Sequence, residues 1–132
     1  MRTLLIVDAA NVVGSVPDGW WRDRRGAAER LRDRLVAYAA DGVPGHPGPA
    51  EIVLVVEGRA RGVESLPEVR VESAPGSGDD LIVELAACAG DAADGRECVV
   101  ITADRELRRR VAAYGALYAG PRTVREAPGP DG

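Results

Sequence analysis

The sequence predicts one α/β domain, in which an open, mostly parallel sheet of about five strands carries helices on both faces. Short apolar runs of strand length alternate along the chain with segments of helical periodicity. This alternation is typical of parallel sheets whose strands are joined by crossover helices. A chain of 132 residues is long enough for one hydrophobic core. We therefore predict a single domain over residues 1–125 and a flexible Pro/Gly-rich tail over residues 126–132.

The strands are predicted where apolar residues follow one another without a polar side, because a parallel strand is covered on both faces. One further, shorter strand is predicted from alternation of apolar and charged residues. The predicted strands are residues 3–7, 52–56, 69–72, 98–102 and 117–119.

The helices are predicted where apolar residues recur three or four positions apart. In the last of them, Leu107, Val111 and Tyr114 would face the core. Residues 42–49 are rich in glycine and proline and are predicted to form a loop. The predicted helices are residues 22–40, 79–89 and 104–114.

The composition excludes several common chemistries. All 17 basic residues are arginine, and a chain without lysine can form neither a P-loop nor a Schiff base. Cys88 and Cys98 are too few for a disulfide framework or a cysteine-based zinc site, and both are interpreted as small buried residues. The one histidine, His46, is interpreted as a solvated residue of the predicted loop, which argues against a histidine-based triad.

The charge and hydropathy patterns restrict the partners. The net charge is −4, whereas a general nucleic-acid binder usually has a basic surface, so any nucleic-acid contact must be local. Every apolar run is far shorter than the roughly 20 residues of a membrane span. Asp8 interrupts the first run too early for a signal peptide. We therefore expect a cytoplasmic protein with no membrane partner.

Acidic residues follow the predicted strands or open the predicted helices. In open parallel sheets, ligands bind outside the carboxyl ends of the strands, so these side chains are expected at one shared edge. Taken singly, Asp79, Asp80 and Asp104 could be ordinary helix caps. Gathered together, acids repel one another unless a cation offsets their charge. The set consists of Asp8 with Asn11 one turn later, Glu57, the pair Asp79 and Asp80, and Asp104.

A set of oxygen donors favours a hard cation such as Mg²⁺ or Mn²⁺, which needs only one or two direct carboxylates besides water and substrate phosphate. Such an ion polarises a phosphodiester and activates an attacking water. Arginines near the same strand ends would form a basic rim suited to phosphate contact. The predicted substrate-binding residues are Arg22, Arg25, Arg59, Arg61 and Arg105.

Two further groups have open interpretations. Trp20 and Trp21 either stack on unpaired bases or cover the core, and the second is the more common use of such a pair. Residues 108–110 are three consecutive arginines and are interpreted as a solvated helix face.

Four short blocks, taken together and in order, resemble the NYN domains of the PIN-like superfamily, particularly the YacP-like branch. The blocks are VDAANVVG, VVEG, GSGDD and VITADRELRRR, and the resemblance covers roughly residues 3–120. It implies a Rossmann-like fold and a metal-dependent endoribonuclease activity. The RNA would be single-stranded or structured, with ribosome-associated RNA included, and a homodimer is an open option.

By this resemblance, Asp8, Asp79 and Asp104 correspond to the metal-binding acids. Asn11 corresponds to the polar partner of the first block, and Asp80 to the second acid of the third block. Glu57 and Thr102 would then support the metal ligands from behind.

Three positions depart from the family pattern and bear on activity rather than on fold. Ala10 stands where the family often has an aromatic residue or Asn, Glu57 replaces an Asp, and Ala103 replaces a Ser. An inactive PIN-like module that binds RNA or the ribosome therefore remains an alternative. A small-molecule phosphohydrolase is less favoured, because no DxD pattern follows the first strand. A dinucleotide-binding domain is rejected for want of GxGxxG.

Overall fold

The computed structural model describes residues 2–91 and 96–124, so the predicted tail at 126–132 lies outside the described residues. Short 3₁₀ turns connect several of the elements, at Trp20–Arg22, Gly58–Ala60 and Pro121–Thr123. In chain order the helices and strands are β1 (Thr3–Asp8), α1 (Ala9–Gly14), α2 (Arg24–Leu35), α3 (Tyr38–Asp41), β2 (Gly42–Val43), β3 (His46–Pro47), β4 (Ala50–Val56), β5 (Val69–Ser73), α4 (Gly78–Asp91), β6 (Cys98–Ile101), α5 (Arg105–Ala112) and β7 (Leu117–Ala119).

The main sheet of the described chain has five parallel strands in the order β5–β4–β1–β6–β7. After β1 the chain builds outward through β4 and β5, then crosses back to add β6 and β7 on the other side. The direction of winding therefore reverses between β1 and β6. In open α/β sheets this switch point, at the carboxyl ends of the strands, is where ligands bind. The α/β fold predicted from the sequence is confirmed.

Helices cover both faces of the sheet. Since successive side chains of a strand point to opposite sides, alternate side chains pack against different helices. In β1, Leu5 and Val7 pack with α1, α2 and α3, whereas Leu4 and Ile6 pack with α4 and α5. Burial of one such side chain contributes about 1.5–3 kcal/mol. Asp8 continues the alternation of Leu4 and Ile6, so its carboxylate lies on the α4 and α5 side of the sheet.

The first predicted helix is shorter than expected, and it is preceded by a helix that was not predicted. Asp23 accepts a hydrogen bond from the backbone N–H of Gly26 at 3.0 Å and caps α2, so this helix begins at Arg24 rather than residue 22. It ends at Leu35, and α3 is a separate turn. The six-residue helix α1 follows β1 directly and is too short to show a periodicity in the sequence.

The segment predicted as a loop contains a small antiparallel hairpin of β2 and β3. His46 lies in this hairpin, and its Nδ1 is 2.5 Å from a carboxylate oxygen of Glu97. The histidine is thus paired with an acid near the start of β6. The sequence had indicated instead that it is a solvated loop residue.

Two side chains predicted to be buried lie at the surface. Tyr114 is 49% exposed, because α5 ends at Ala112 and the chain turns at Gly115 with φ of 84°. Cys88 is exposed on α4, whereas Cys98 is buried as predicted. Within the described ranges, no helix combines the length and apolar character that crossing a membrane requires.

Candidate active site

The candidate site is built around Asp8, the last residue of the central strand. Its side chain lies at the switch point between β1 and β6 and is only 5% exposed. A carboxylate in such a position needs hydrogen-bond donors, because burial without them is costly. Asp8 Oδ2 accepts a hydrogen bond from the hydroxyl of Thr102 at 3.0 Å, and Oδ1 accepts one from the backbone N–H of Asn11 at 3.4 Å.

Thr102 connects the acids that follow β1 and β6. It is fully buried, and its Oγ1 donates its proton to Asp8. The same oxygen accepts a hydrogen bond from the backbone N–H of Asp104 at 3.2 Å. One hydroxyl therefore fixes the orientation of the Asp8 carboxylate relative to the start of α5. The sequence had placed Thr102 only in a supporting role behind the metal ligands.

Asp104 caps helix α5. Its Oδ1 accepts a hydrogen bond from the backbone N–H of Leu107 at 2.9 Å, as expected for an N-cap aspartate. The loop before it is held by Asn11, whose Oδ1 accepts a hydrogen bond from the backbone N–H of Ala103 at 2.9 Å. Asn11 thus ties the start of α1 to the β6–α5 loop across the switch point.

Glu57 and Asp79 approach the site from β4 and α4. Glu57 Oε2 accepts a hydrogen bond from the backbone N–H of Gly78 at 3.2 Å, and the Ser77 hydroxyl accepts one from the backbone N–H of Asp79 at 3.1 Å. A Cβ on Gly78 would lie 3.0 Å from Glu57 Oε1. Glycine at this position therefore lets the first turn of α4 approach the end of β4.

The carboxylates of the site repel one another. Burial raises the pKa of Asp8 from 3.8 to about 6, against the lowering effect of the hydrogen bonds from Thr102 and Asn11. The negative charges of Asp79 and Glu57 contribute smaller parts of this rise. The pKa of Asp79 is also raised, first by burial and then by the charges of Asp104 and Glu57. We refer to Asp8, Glu57, Asp79 and Asp104 as the acidic cluster.

Asp80 is placed differently from the acidic cluster. It is exposed, and its Oδ1 lies 3.0 Å from the guanidinium of Arg110. The sequence had indicated that the run of arginines on α5 is a solvated face. Because one of them pairs with Asp80, the face is not uniformly solvated. Arg108 donates a hydrogen bond to the carbonyl of Thr102 at 2.8 Å and stacks 4.7 Å from the ring centroid of Tyr118. Of the three, Arg109 is the exposed one that pairs within its own helix, with Glu106.

The donor set suits a hard cation, although it is not a closed metal cage. Every candidate ligand is a carboxylate oxygen, as Mg²⁺ and Mn²⁺ prefer. Among residues 2–91 and 96–124, no group of three or more His, Cys, Asp or Glu side chains is close enough to hold an ion by itself. The arrangement therefore fits an ion that keeps most of its water and takes one or two carboxylates plus substrate.

The predicted arginine rim is exposed and lies on turns or helix starts. Arg25 donates a hydrogen bond to the carbonyl of Gly62 at 3.0 Å and so joins α2 to the turn after β4. Arg61 donates one to Gly58 within that turn. The remaining predicted members, all exposed, are Arg22 in the first 3₁₀ turn, Arg59 after β4 and Arg105 at the first position of α5.

One feature of the site was not predicted from the sequence. A cleft of about 240 Å³ opens beside the acidic cluster, with Ala10, Trp20, Arg24 and Glu57 in its wall. The tryptophan pair had been noted, but a cleft depends on how α1, α2 and the turn after β4 meet. No periodicity or motif in the sequence predicts how these three elements pack together.

Comparison with known proteins supports the fold. No protein-family model matches this chain, and no curated protein matches it either. Among solved structures, it is similar to Rae1 (YacP) from Bacillus subtilis, with 20% identity and a TM-score of 0.72. A point mutant of the same protein gives 21% identity and a TM-score of 0.65. Each comparison covers 91% of this chain and 70% of that chain. The chain therefore has a YacP-like fold.

Proposed function

We propose that this chain is a metal-dependent endoribonuclease, which hydrolyses RNA phosphodiester bonds with Mg²⁺ or Mn²⁺ bound among Asp8, Asp79 and Asp104, one or two of which would ligate the ion directly while water and substrate complete its shell. The observation that carries the proposal is the acidic cluster itself. Its carboxylates lie at the ligand-binding edge of the sheet, and their charges oppose one another. Arg110 offsets part of the repulsion at Asp79. A divalent cation would offset much more of it.

The residues of the site have distinct roles in this proposal. Asp8 would present a carboxylate whose orientation is set by Thr102, and Asp104 would offer the oxygen that the helix cap does not use. Asn11 would hold the start of α1 and the β6–α5 loop in fixed positions relative to each other. When bound, the cation would polarise the scissile phosphate and lower the pKa of the attacking water. No covalent nucleophile from the protein is required.

Support for RNA as the substrate comes from the surroundings of the acidic cluster. Arg59, Arg61 and Arg105 are exposed near the same edge, and arginine binds phosphate oxygens in a bidentate manner. Such a rim attracts a polyanion locally even though the net charge is −4. The motif resemblance to NYN domains favours RNA over a small phosphate ester, and the YacP-like fold is consistent with it.

A second function is favoured by one observation. The described residues hold no ready group of three metal ligands, and Ala103 stands where the resembling family has a hydroxyl-bearing residue. A domain that binds RNA or the ribosome without cleaving it would keep the arginine rim but lack a strong metal response. The two functions therefore differ in what Mn²⁺ does to the protein.

The experiment compares Asp104→Asn with a matched control, Asp33→Asn. Both changes remove one negative charge, but Asp33 is exposed on α2 and pairs with Arg32. Asparagine keeps an oxygen that can cap α5, so the metal-free Asp104 variant should melt no lower than wild type. At about 100 times its dissociation constant, Mn²⁺ stabilises the native state by roughly 2.7 kcal/mol. Wild type and Asp33→Asn should show this stabilisation and cleave labelled RNA.

Asp104→Asn should largely lose both the stabilisation and the cleavage. Thermal melts with EDTA and with Mn²⁺, run beside a gel assay of RNA cleavage, give both readouts. Equal metal responses in the three proteins would overturn the assignment of Asp104 as a ligand. RNA binding without cleavage by the wild type and by Asp33→Asn would favour the second function.

A further inference from the structure

The cleft beside the acidic cluster has a definite place in the fold. It lies between α1, the 3₁₀ turn at Trp20–Arg22, the start of α2 and the turn after β4. Ala10 and Gly58 contribute little bulk to its wall, so the cleft remains open where larger side chains would close it. Its volume of about 240 Å³ is below the roughly 300–1,000 Å³ of cavities that hold drug-sized ligands. The cleft has room for one small group rather than for a large ligand.

The chemistry of the wall is that of a stacking site. The Trp20 indole lines the cleft, and the guanidinium of Arg24 lies 5.3 Å from its ring centroid. Unpaired bases stack on aromatic rings and on arginine guanidinium planes. The remaining wall is mostly apolar, with Glu57 as the acidic exception. A carboxylate there can accept hydrogen bonds from the N–H groups on the edge of a base.

Glu57 also connects the cleft to the acidic cluster. It is part of the cleft wall, and its charge acts on both Asp8 and Asp79. A flat group inserted in the cleft would therefore lie next to the carboxylates, and a phosphate attached to that group would extend toward them. The wall of the cleft suits a base, and the neighbouring cluster suits a metal-bound phosphate.

We propose that the cleft binds one unpaired nucleobase of the RNA beside the scissile phosphate, so that the site selects single-stranded RNA. The inference rests on the proposed function for its substrate. A base inside a duplex is stacked on both sides and paired at its edge, so it cannot enter the cleft without being extruded. Duplex RNA would contact the arginine rim but leave the cleft empty.

The test fills the cleft without touching a ligand or a buried residue. Ala10 is exposed, so Ala10→Leu should preserve the fold while its side chain occupies the cleft. Ala112→Leu is the matched control, because Ala112 is also exposed but ends α5 at the opposite edge of the sheet. Affinities are measured by fluorescence anisotropy in EDTA, with a short labelled single-stranded RNA and with the same strand annealed to its complement.

Ala10→Leu should weaken binding of the single strand by about 5- to 150-fold, the range expected for loss of one stacked base. Binding of the duplex should not change, and Ala112→Leu should match wild type with both probes. Equal affinity of Ala10→Leu and wild type for the single strand would overturn the proposal. So would an equal loss for single strand and duplex, because that result would show a general defect in RNA binding.

A second measurement does not depend on Ala10. The chain has two tryptophans, so Trp21→Phe leaves Trp20 as the sole tryptophan, whose fluorescence can be excited selectively over that of tyrosine. Saturable quenching of Trp20 by the single strand, absent with the duplex, is the expected result, and its absence would overturn the proposal. Both measurements are made without metal. Failure of wild type to cleave RNA in Mn²⁺ would therefore overturn the proposed function while leaving a positive cleft result intact.

Discussion

Replacing Asp8 with asparagine is expected to stabilise the metal-free protein at neutral pH. The pKa of Asp8 is about 6 in the folded chain and 3.8 for the isolated group, mainly because burial opposes the charged form. A carboxyl whose pKa is raised on folding stabilises the protein fully below its unfolded pKa. That contribution is lost as the pH rises through the folded value. The difference between 3.8 and about 6 amounts to about 3 kcal/mol at pH 7.

Asparagine removes this charge but also alters one hydrogen bond. Its amide nitrogen cannot accept from Thr102 as the carboxylate oxygen does, and an impaired buried hydrogen bond costs about 1–3 kcal/mol. The net gain at pH 7 should therefore be smaller, between about 0 and 2 kcal/mol, which is at most roughly 10 °C in melting temperature at this chain length.

Urea denaturation in EDTA, at pH 4 and at pH 7, measures the effect. The gap between mutant and wild type should widen in favour of the mutant as the pH rises from about 4 to about 7. A gap that is the same at both pH values would refute the reasoning, because the instability would not then come from a buried charge. A gap that narrows would refute it as well.

Two further predictions follow from the same geometry. Thr102→Val removes the hydrogen bond that lowers the pKa of Asp8, so this pKa should rise above about 6 in an NMR titration. The protein should also lose about 1–3 kcal/mol of stability. An unchanged pKa would mean that the hydroxyl does not support the carboxylate. Replacing both Arg59 and Arg61 with alanine should weaken RNA binding and reduce the slope of log affinity against log salt by about one for each lost phosphate contact. An unchanged slope would move the RNA path to another face.

The order of strands and helices could be predicted from the sequence because each buried strand is a continuous apolar run. The errors came from local contacts that a periodicity does not record. Asp23 caps α2 by accepting a hydrogen bond from the backbone N–H of Gly26, so the helix begins two residues later than expected. Tyr114 continues the apolar spacing of α5 but lies beyond the end of the helix and faces solvent. Helix α1 has six residues, fewer than two turns, so it gave no detectable pattern.

The edge on which the acids lie could also be predicted, because parallel strands end on the same side. The hydrogen bonds and ion pairs between side chains of the site could not be predicted. Thr102 and Asp8 are 94 positions apart, and their hydrogen bond depends on β6 lying beside β1. Asp80 was grouped with the other acids on sequence position; its pairing with Arg110, 30 positions later, depends on α4 lying beside α5. Whether the acids hold a metal remains a prediction.

The position of Asp8 on the central strand separates two kinds of mechanical behaviour within the same site. Strand β1 is hydrogen-bonded on both sides and covered on both faces, so it belongs to the part of a domain that opens last, at about the free energy of global unfolding. The 3₁₀ turns at Trp20–Arg22 and Gly58–Ala60 lie outside the sheet and are mostly exposed, so they can open locally at smaller cost. An incoming chain can therefore deform the outer wall of the site while the carboxylate at its base keeps its position.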